Sequence, residues 1–185
     1  MYANKQHKKP HVTHNSGNNE WYTPAEYISA ARNVMGGIDL DPASSDKANE
    51  VVQAAEYYTI IDDGLSKAWH GRIWLNPPYA GKVIPKFIEK LCLHVTLNDV
   101  AEAITLVNNA TETAWFNSLI SIASAIVFPK RRVKFYMPGG ERGSPLQGQA
   151  VIYIGSKPSV FLETFSTFGW GAFISATKNY EAFNE

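Results

Sequence analysis

The sequence predicts a single α/β domain on a mostly parallel sheet, with antiparallel strands added late in the chain. Three observations predict it. Short β-branched and aromatic runs alternate with helical segments through the first two-thirds of the 185 residues, the pattern of a parallel sheet. Acidic or proline turns follow several of the strand candidates, which places polar stations on one rim. Two further strand candidates flank a Gly/Pro-rich connection near the end and add antiparallel edges. A hydrophobic share of 45% in a chain this long is enough for a real core.

Residues 1–19 are rich in Asn, His and Lys and read as a flexible polar arm. The domain follows over 20–175, with a C-terminal tail at 176–185. Thr23-Pro24-Ala25-Glu26 has the spacing of a capping box with Pro at the first helical position. This predicts a helix to about Met35, stopped by Gly36-Gly37. Ile38 to Leu40 reads as a short strand ending at Asp41-Pro42. A helix over about 47–55 carries apolar residues at 48, 51, 52 and 55. Tyr57 to Ile61 reads as a strand. Arg72 to Leu75 is a strand that must end at the following prolines. Helices are expected near 84–94, from a cap at 109–112 to about Ile122, and near 159–167. Strands are expected over 103–107, 125–128, 133–136 and 150–154. The connection 137–148 is long enough to be mobile or ordered by a ligand, and a Gly-rich tail closes the chain.

Composition excludes several classes. Cys92 is the only cysteine, so no internal disulfide forms and a structural zinc site lacks its usual ligands. The five histidines show no metal spacing, and no metal is expected. No apolar run approaches the roughly 20 residues of a membrane helix, and residues 1–19 lack the apolar core of a signal peptide. The expectation is a soluble protein of a reducing cytoplasm. The formal net charge is zero, but it is unevenly spread. Nine acids against Arg32 and Lys47 fill residues 20–63, whereas 126–145 holds Lys130, Arg131, Arg132, Lys134 and Arg142 against Glu141. Such polarity suits an anionic polymer at one end and a cationic small molecule at the other. Solvated faces explain the clusters as well.

In a parallel α/β sheet, ligands bind beyond the carboxyl ends of the strands. Asp41-Pro42, Asp62-Asp63 and Asn76-Pro77-Pro78-Tyr79 all fall just after strand candidates. The last carries the most chemistry. Two prolines stiffen the backbone and give no N–H, so their carbonyls are free to point outward. Asn76 supplies an amide oxygen as acceptor, and Pro77 a carbonyl. Two acceptors converging on one –NH₂ group would hold it and orient its lone pair. Tyr79 adds a flat face for stacking a planar base. Together they describe a pocket for the exocyclic amine of a flipped base.

The ordered set Trp21-Tyr22-Thr23-Pro24, Asp39-Leu40-Asp41-Pro42-Ala43-Ser44, Tyr58-Thr59, Asp63-Gly64-Leu65, Trp69 and Trp74-Leu75-Asn76-Pro77-Pro78-Tyr79 resembles the phage-type DNA N6-adenine methyltransferases, the Dam family. The similarity covers about residues 20–155. It implies a Rossmann-like fold, S-adenosylmethionine as cofactor, and double-stranded DNA as substrate. Asn76, Pro77, Pro78 and Tyr79 would then be catalytic. Asn76 and the Pro77 carbonyl would bind the adenine amine, with Tyr79 stacked on its ring. Trp21, Thr23, Pro24, Asp41, Pro42, Ala43, Asp63 and Asn76 would lie at the cofactor, with Asp41 facing its cationic amino group.

The resemblance is not complete. The glycines that usually follow the acid-Pro-Ala stretch are absent, and Ser45-Asp46 take their place. Asp41-Pro42 could simply cap the next helix, Thr23-Pro24 serves a capping box equally well, and Trp21 and Trp69 suit a core. Lys130, Arg131, Arg132 and Lys134 resemble the family's basic strand and would meet phosphates, unless they form a solvated basic strand. No room exists for a large recognition domain, so base reading falls to short insertions such as 137–148 or to a second subunit in a homodimer. RNA or protein-glutamine methylation, and DNA binding by a relative that has lost the cofactor site, remain the competing readings. Protection of phage DNA from host nucleases is the role the resemblance suggests.

Overall fold

The computed structural model describes residues 22–136, 142–143 and 147–175. The expected arm at 1–19, Trp21, most of the 137–148 connection and the tail at 176–185 lie outside them.

The first helix, α1 (Ala25–Met35), buries Ile28, Ala31, Val34 and Met35 along one stripe. It ends as expected: Gly36 takes φ 77° and its N–H reaches the Arg32 carbonyl at 2.7 Å. Its start differs, because Pro24 occupies the cap position and no side chain caps the helix. The expected capping box does not form, because the Thr23 hydroxyl is engaged elsewhere.

Strand β1 (Leu40–Asp41) follows, then α2 (Asp46–Val52) and β2 (Glu56–Tyr57). Helix α2 is shorter than expected and is capped by Ser45, whose Oγ accepts from the Ala48 N–H at 3.2 Å. Strand β2 also stops early. The Asp62 carboxylate accepts from both the N–H and the hydroxyl of Thr59, at 2.9 and 2.7 Å. These bonds fold 59–62 into a turn, and Ile60 and Ile61 end 92% exposed instead of paired in a strand.

Next come β3 (Gly71–Leu75), α3 (Ile84–Thr96), β4 (Val100–Asn108), α4 (Ala114–Ser121) and β5 (Ala125–Pro129). Thr113 caps α4 through the Phe116 N–H at 3.3 Å. The chain continues through β6 (Phe135–Tyr136), β7 (Arg142–Gly143), β8 (Gln149–Ile154), α5 (Pro158–Phe165) and β9 (Gly169–Phe173).

Seven strands form one sheet in the order β2-β1-β3-β4-β8-β5-β9. The neighbours β2, β1, β3 and β4 are parallel, while β8 runs antiparallel to both β4 and β5. The fold is Rossmann-like, mostly parallel with antiparallel late strands. From β1 the chain moves to β2 on one side and returns to β3 on the other, which makes the β1/β3 boundary the switch point. Side chains alternate across the sheet. Ile104 and Leu106 of β4 join the core with α1 and α5, while Ala103 and Val107 join that with α3 and α4.

Three late elements depart from expectation. Val133 and Lys134 form no strand, because the Val133 N–H is taken by the Gln149 side chain at 3.2 Å. Only Phe135 and Tyr136 pair, with Arg142 and Gly143 in a separate two-stranded sheet. Strand β8 is not an edge; all six of its residues are buried between β4 and β5. The Gly-rich tail is itself the edge strand β9, antiparallel to β5. Glycine is needed there: a Cβ at Gly169 would collide with the Phe128 carbonyl, and one at Gly171 would stand 2.6 Å from that of Ile126.

At the amino ends of β1 and β3, Arg72 fastens the sheet. Its Nη2 and Nε donate to the two Asp39 carboxylate oxygens at 2.6 and 2.8 Å, and its Nη1 reaches the Met35 carbonyl at 3.2 Å. Among the described residues no helix is long and apolar enough to cross a membrane.

Candidate active site

At the opposite, carboxyl ends of β1 and β3, the switch point opens into a cleft of about 430 Å³. Pro42–Ser45 form one wall, Asn76–Ala80 the facing wall, and Tyr58–Ile60 with Asp63–Leu65 a third. Val83, at the N-cap of α3, and Phe87 within the helix close it with apolar surface. A second cavity of about 30 Å³ holds Asp41, Thr23 and Trp74, and shares Tyr22, Ala43, Ala48 and Asn76 with the cleft.

Asp41 is 3% exposed and has no ion pair among the described residues. Burial pushes its carboxyl up to about 6, since removal from water disfavours the charged form. The Ser44 hydroxyl and the Ala43 N–H, 3.2 Å from Oδ1, oppose the rise without cancelling it. A buried carboxyl without a cation is an arrangement that a cationic, hydrogen-bonding ligand completes.

Ser45 and Asp46 occupy the place where glycines were expected, and both are committed to local structure. Ser45 caps α2, and Asp46 accepts from the Tyr57 hydroxyl at 2.9 Å. Close approach is provided by another glycine. Gly64 packs so tightly on the Pro42 carbonyl that any Cβ would collide with it. The neighbouring Asp63 is exposed, with φ 53°, and it lines the cleft. Asp62 does not, because its carboxylate closes the 59–62 turn.

On the facing wall, Asn76 directs its Nδ2 to the Thr23 hydroxyl at 3.3 Å. Pro77 is buried and Pro78 half-buried. The Tyr79 hydroxyl donates to the Leu106 carbonyl at 3.4 Å, and its ring meets Phe135 edge-on at 5.9 Å. Burial raises the Tyr79 pKa, so the phenol stays protonated. Pro24 is buried at the start of α1 and does not line the cleft. Trp69 is a core residue, 1% exposed, whose Nε1 donates to the Gly64 carbonyl at 2.8 Å.

Lys130, Arg131, Arg132 and Lys134 are exposed just beyond the carboxyl end of β5, on the same rim as the cleft. They do not line it. Val133 and Phe135 are buried and anchor the segment between them. Sequence reasoning missed Ser44, Ile60, Val83 and Phe87 as wall residues. Only Ser44 carried a signal, as part of the Asp-Pro-Ala-Ser run, because Phe87 read as ordinary helix core and Val83 fell just before the expected helix. Among the described residues no group of three or more His, Cys, Asp or Glu is placed to hold a metal ion.

An α/β sheet with a switch-point cleft between an acid-Pro loop and an Asn-Pro-Pro-Tyr loop defines the class: a Rossmann-like methyltransferase fold. A family model described as DNA N-6-adenine-methyltransferase (Dam) matches residues 11–161. The chain belongs to that family, and its class of reaction is methylation of adenine N6 in DNA. No curated protein matches the chain individually.

Proposed function

We propose that this protein transfers a methyl group from S-adenosylmethionine to the N6 amine of adenine at specific sites in double-stranded DNA. One observation carries the reading. The buried, unpaired Asp41 and the Asn76–Tyr79 loop stand at the carboxyl ends of adjacent strands, around one cleft.

The residues present fit the cofactor. The cleft lies in the size range of small-molecule sites, and Tyr58, Ile60 and Leu65 offer apolar surface to a nucleoside. The Asp41 carboxyl suits the ammonium of the methionine part, and Asp63 is available to polar groups of the nucleoside. When bound, the cofactor supplies a methyl group already activated on a sulfonium sulfur.

The chain's own residues would orient and exclude. A base turned into the cleft would give its amine hydrogens to the Asn76 amide oxygen and the Pro77 carbonyl. Two acceptors on those hydrogens draw the nitrogen lone pair out of conjugation with the ring. Pro77 and Pro78 hold this geometry with little backbone freedom. The Tyr79 ring would pack on the base, and the apolar wall of Val83 and Phe87 would keep water out. Alignment of this kind supplies several kcal/mol of a barrier. The amine proton lost on transfer passes to solvent. Lys130, Arg131, Arg132 and Lys134 would meet DNA phosphates at the rim, giving affinity without sequence information.

The test is methyl transfer from labelled S-adenosylmethionine to unmethylated duplex DNA, read by nucleoside mass spectrometry with Asn76→Ala alongside. N6-methyladenine from the wild type is expected, with transfer about 100- to 1000-fold slower in the variant, the usual cost of losing one oriented polar group at a reacting centre. A fully active Asn76→Ala would overturn the assignment of the loop. Label in RNA or protein, with none in DNA, would overturn the substrate.

A further inference from the structure

We infer that Trp170, on the edge strand β9, is a DNA contact that carries the basic rim out to the side of the sheet. The inference rests on the reading of duplex DNA as substrate and names a further part of its binding surface.

The sheet order turns a charge asymmetry of the sequence into one of space. Strands β2 and β9 are its opposite edges. Around β2 stand Asp46, Glu50, Glu56, Asp62 and Asp63, all exposed, against Lys47 and Lys67. The chain that builds β5, β9 and the rim beside them is different, because residues 113–140 and 164–180 contain no acid. Lys130, Arg131, Arg132 and Lys134 lie exposed on that side. A polyanion at the rim is therefore repelled from the β2 edge and drawn toward β5 and β9. Specific DNA interfaces cover roughly 1,000–2,500 Å² of protein, more than four side chains supply, so the footprint needs further surface there.

Trp170 continues that surface. The ladder pairs Phe128 with Trp170 and Pro129 with Gly169, and the Lys130 N–H donates to the Phe168 carbonyl at 2.9 Å. Lys130 is thus the diagonal neighbour of Trp170, at a spacing of about 7–8 Å. The indole rests on the Phe128 ring, with centroids 4.8 Å apart, yet Trp170 is 66% exposed. A held, exposed indole is a flat apolar face with little rotamer freedom to lose. Such a face suits the sugars and base edges of a groove whose phosphates the neighbouring cations meet. The nearest acid along the chain, Glu163, sits on α5, which packs on the other face of the sheet.

Phe173 supplies the contrast. It is also exposed, at 62%, but it pairs with Ala125 at the amino end of β5. Three steps along the strand put it about 10 Å from Trp170 and on the opposite face. It shares the sheet edge with Trp170 and lies away from the rim.

The experiment titrates a mixed-sequence duplex DNA with the wild type, Trp170→Ala and Phe173→Ala over a range of salt concentrations. Sedimentation velocity follows the oligomeric state of each. Trp170→Ala should bind about five- to tenfold more weakly, the cost of truncating an aromatic interface residue. Its log–log salt slope should match the wild type, because an apolar contact releases no counterion. Phe173→Ala should bind within about twofold of the wild type, as a surface change away from the contact does.

Wild-type affinity in Trp170→Ala would overturn the inference. So would a loss with a shallower slope, since the missing contact would then be ionic and Trp170 only a support for the basic segment. Equal losses in both variants, with a wild-type dimer falling apart, would assign the edge to a second copy of this chain and overturn it as well. Should Trp170→Ala fail to fold, Trp170→Phe keeps a ring against Phe128. About a two- to threefold weakening is then expected from its smaller face, and none would overturn the inference. A wild type that neither binds nor methylates duplex DNA marks failure of the proposed function itself. One that does both, beside an unaffected Trp170→Ala, marks failure of this inference alone.

Discussion

Asp39 and Asp41 sit two residues apart, at opposite ends of a very short strand, and their surroundings treat them in opposite ways. Asp39 is paired in a two-pronged contact with Arg72, whose side-chain hydrogen bonds hold its carboxyl below the usual range. Asp41 is buried and has no cation, and its carboxyl is raised to about 6. The amino end of the strand is therefore a finished structural joint. The carboxyl end keeps an electrostatic vacancy at a cleft. A charge stabilised by the protein's own partner reports structure, while a buried charge lacking one reports a place prepared for a ligand.

The sharpest way to break this comparison is to neutralise each end in turn. Asp41→Asn should weaken S-adenosylmethionine binding by about ten- to a hundredfold, the scale of a lost charge-assisted hydrogen bond. The protein should be no less stable at pH 7, because a buried unpaired charge has been removed. Calorimetric affinity and thermal unfolding measure the two halves. Unchanged affinity would show that Asp41 is no ligand for the cofactor.

Gly64→Ala comes next. It removes no polar group yet forces the wall at 64 away from the Pro42 carbonyl, so about a tenfold loss of cofactor affinity is expected. If affinity is kept, the tight packing of these loops does not shape the cleft.

Arg72→Ala should do the reverse of Asp41→Asn: lower thermal stability with kcat unchanged. Both partners of its ion pair are about one-third exposed, so solvent screening limits the pair itself to about 1 kcal/mol. A changed kcat with unaltered stability would mean that the two ends of the strand are coupled.

The pH dependence of stability should also separate the two carboxyls. For Asp41 the folded value, about 6, lies above the unfolded one, near 3.8. The folded state binds more protons between them, so this group's contribution to stability declines as pH rises through that window. For Asp39 the folded value is depressed, so its contribution is present above the unfolded value and is lost as pH falls through the folded one. Unfolding of Asp41→Asn between about pH 4 and 7 should show the first slope abolished. A cationic ligand amine at Asp41 would draw its pKa down, so cofactor binding near about pH 5–6 should release protons, measurable by calorimetry in buffers of different ionisation heat.

The smallest effect is expected at the rim. Replacing Lys130 or Arg131 by Ala should raise KM for DNA a few-fold, with kcat unaltered. The log–log salt dependence of binding should become shallower by about 0.9 for each phosphate that is no longer neutralised. An unchanged slope would make these residues a solvated surface.

Much of this was legible in the chain. The alternation of strand and helix patterns announced the sheet. Pro77-Pro78 had to end the ladder pairing of the strand before them, and Asp41-Pro42 fell where a parallel sheet places its ligands. These readings succeed because they depend on local constraints: proline removes a donor, a periodic stripe demands a buried face, and a Gly-Gly pair ends a helix.

What tertiary structure alone decided is which of two local options each ambiguous residue took. Thr23 had the spacing of a cap and took Asn76 as its partner. Tyr57 to Ile61 had the composition of a strand, but the Asp62 side chain folded it into a turn. The glycines near 170 read as a tail and became an edge strand, because closeness to the β5 carbonyls required residues with no Cβ. The close approach that glycines after Ala43 would have given comes instead from Gly64, which meets the same loop from 22 positions after Pro42. The opposite fates of Asp39 and Asp41 belong here too, since their spacing says nothing of Arg72 lying across one end and a cleft at the other. Hydrogen-bond partners and desolvation are properties of neighbours in space, and a residue's sequence neighbours do not specify them.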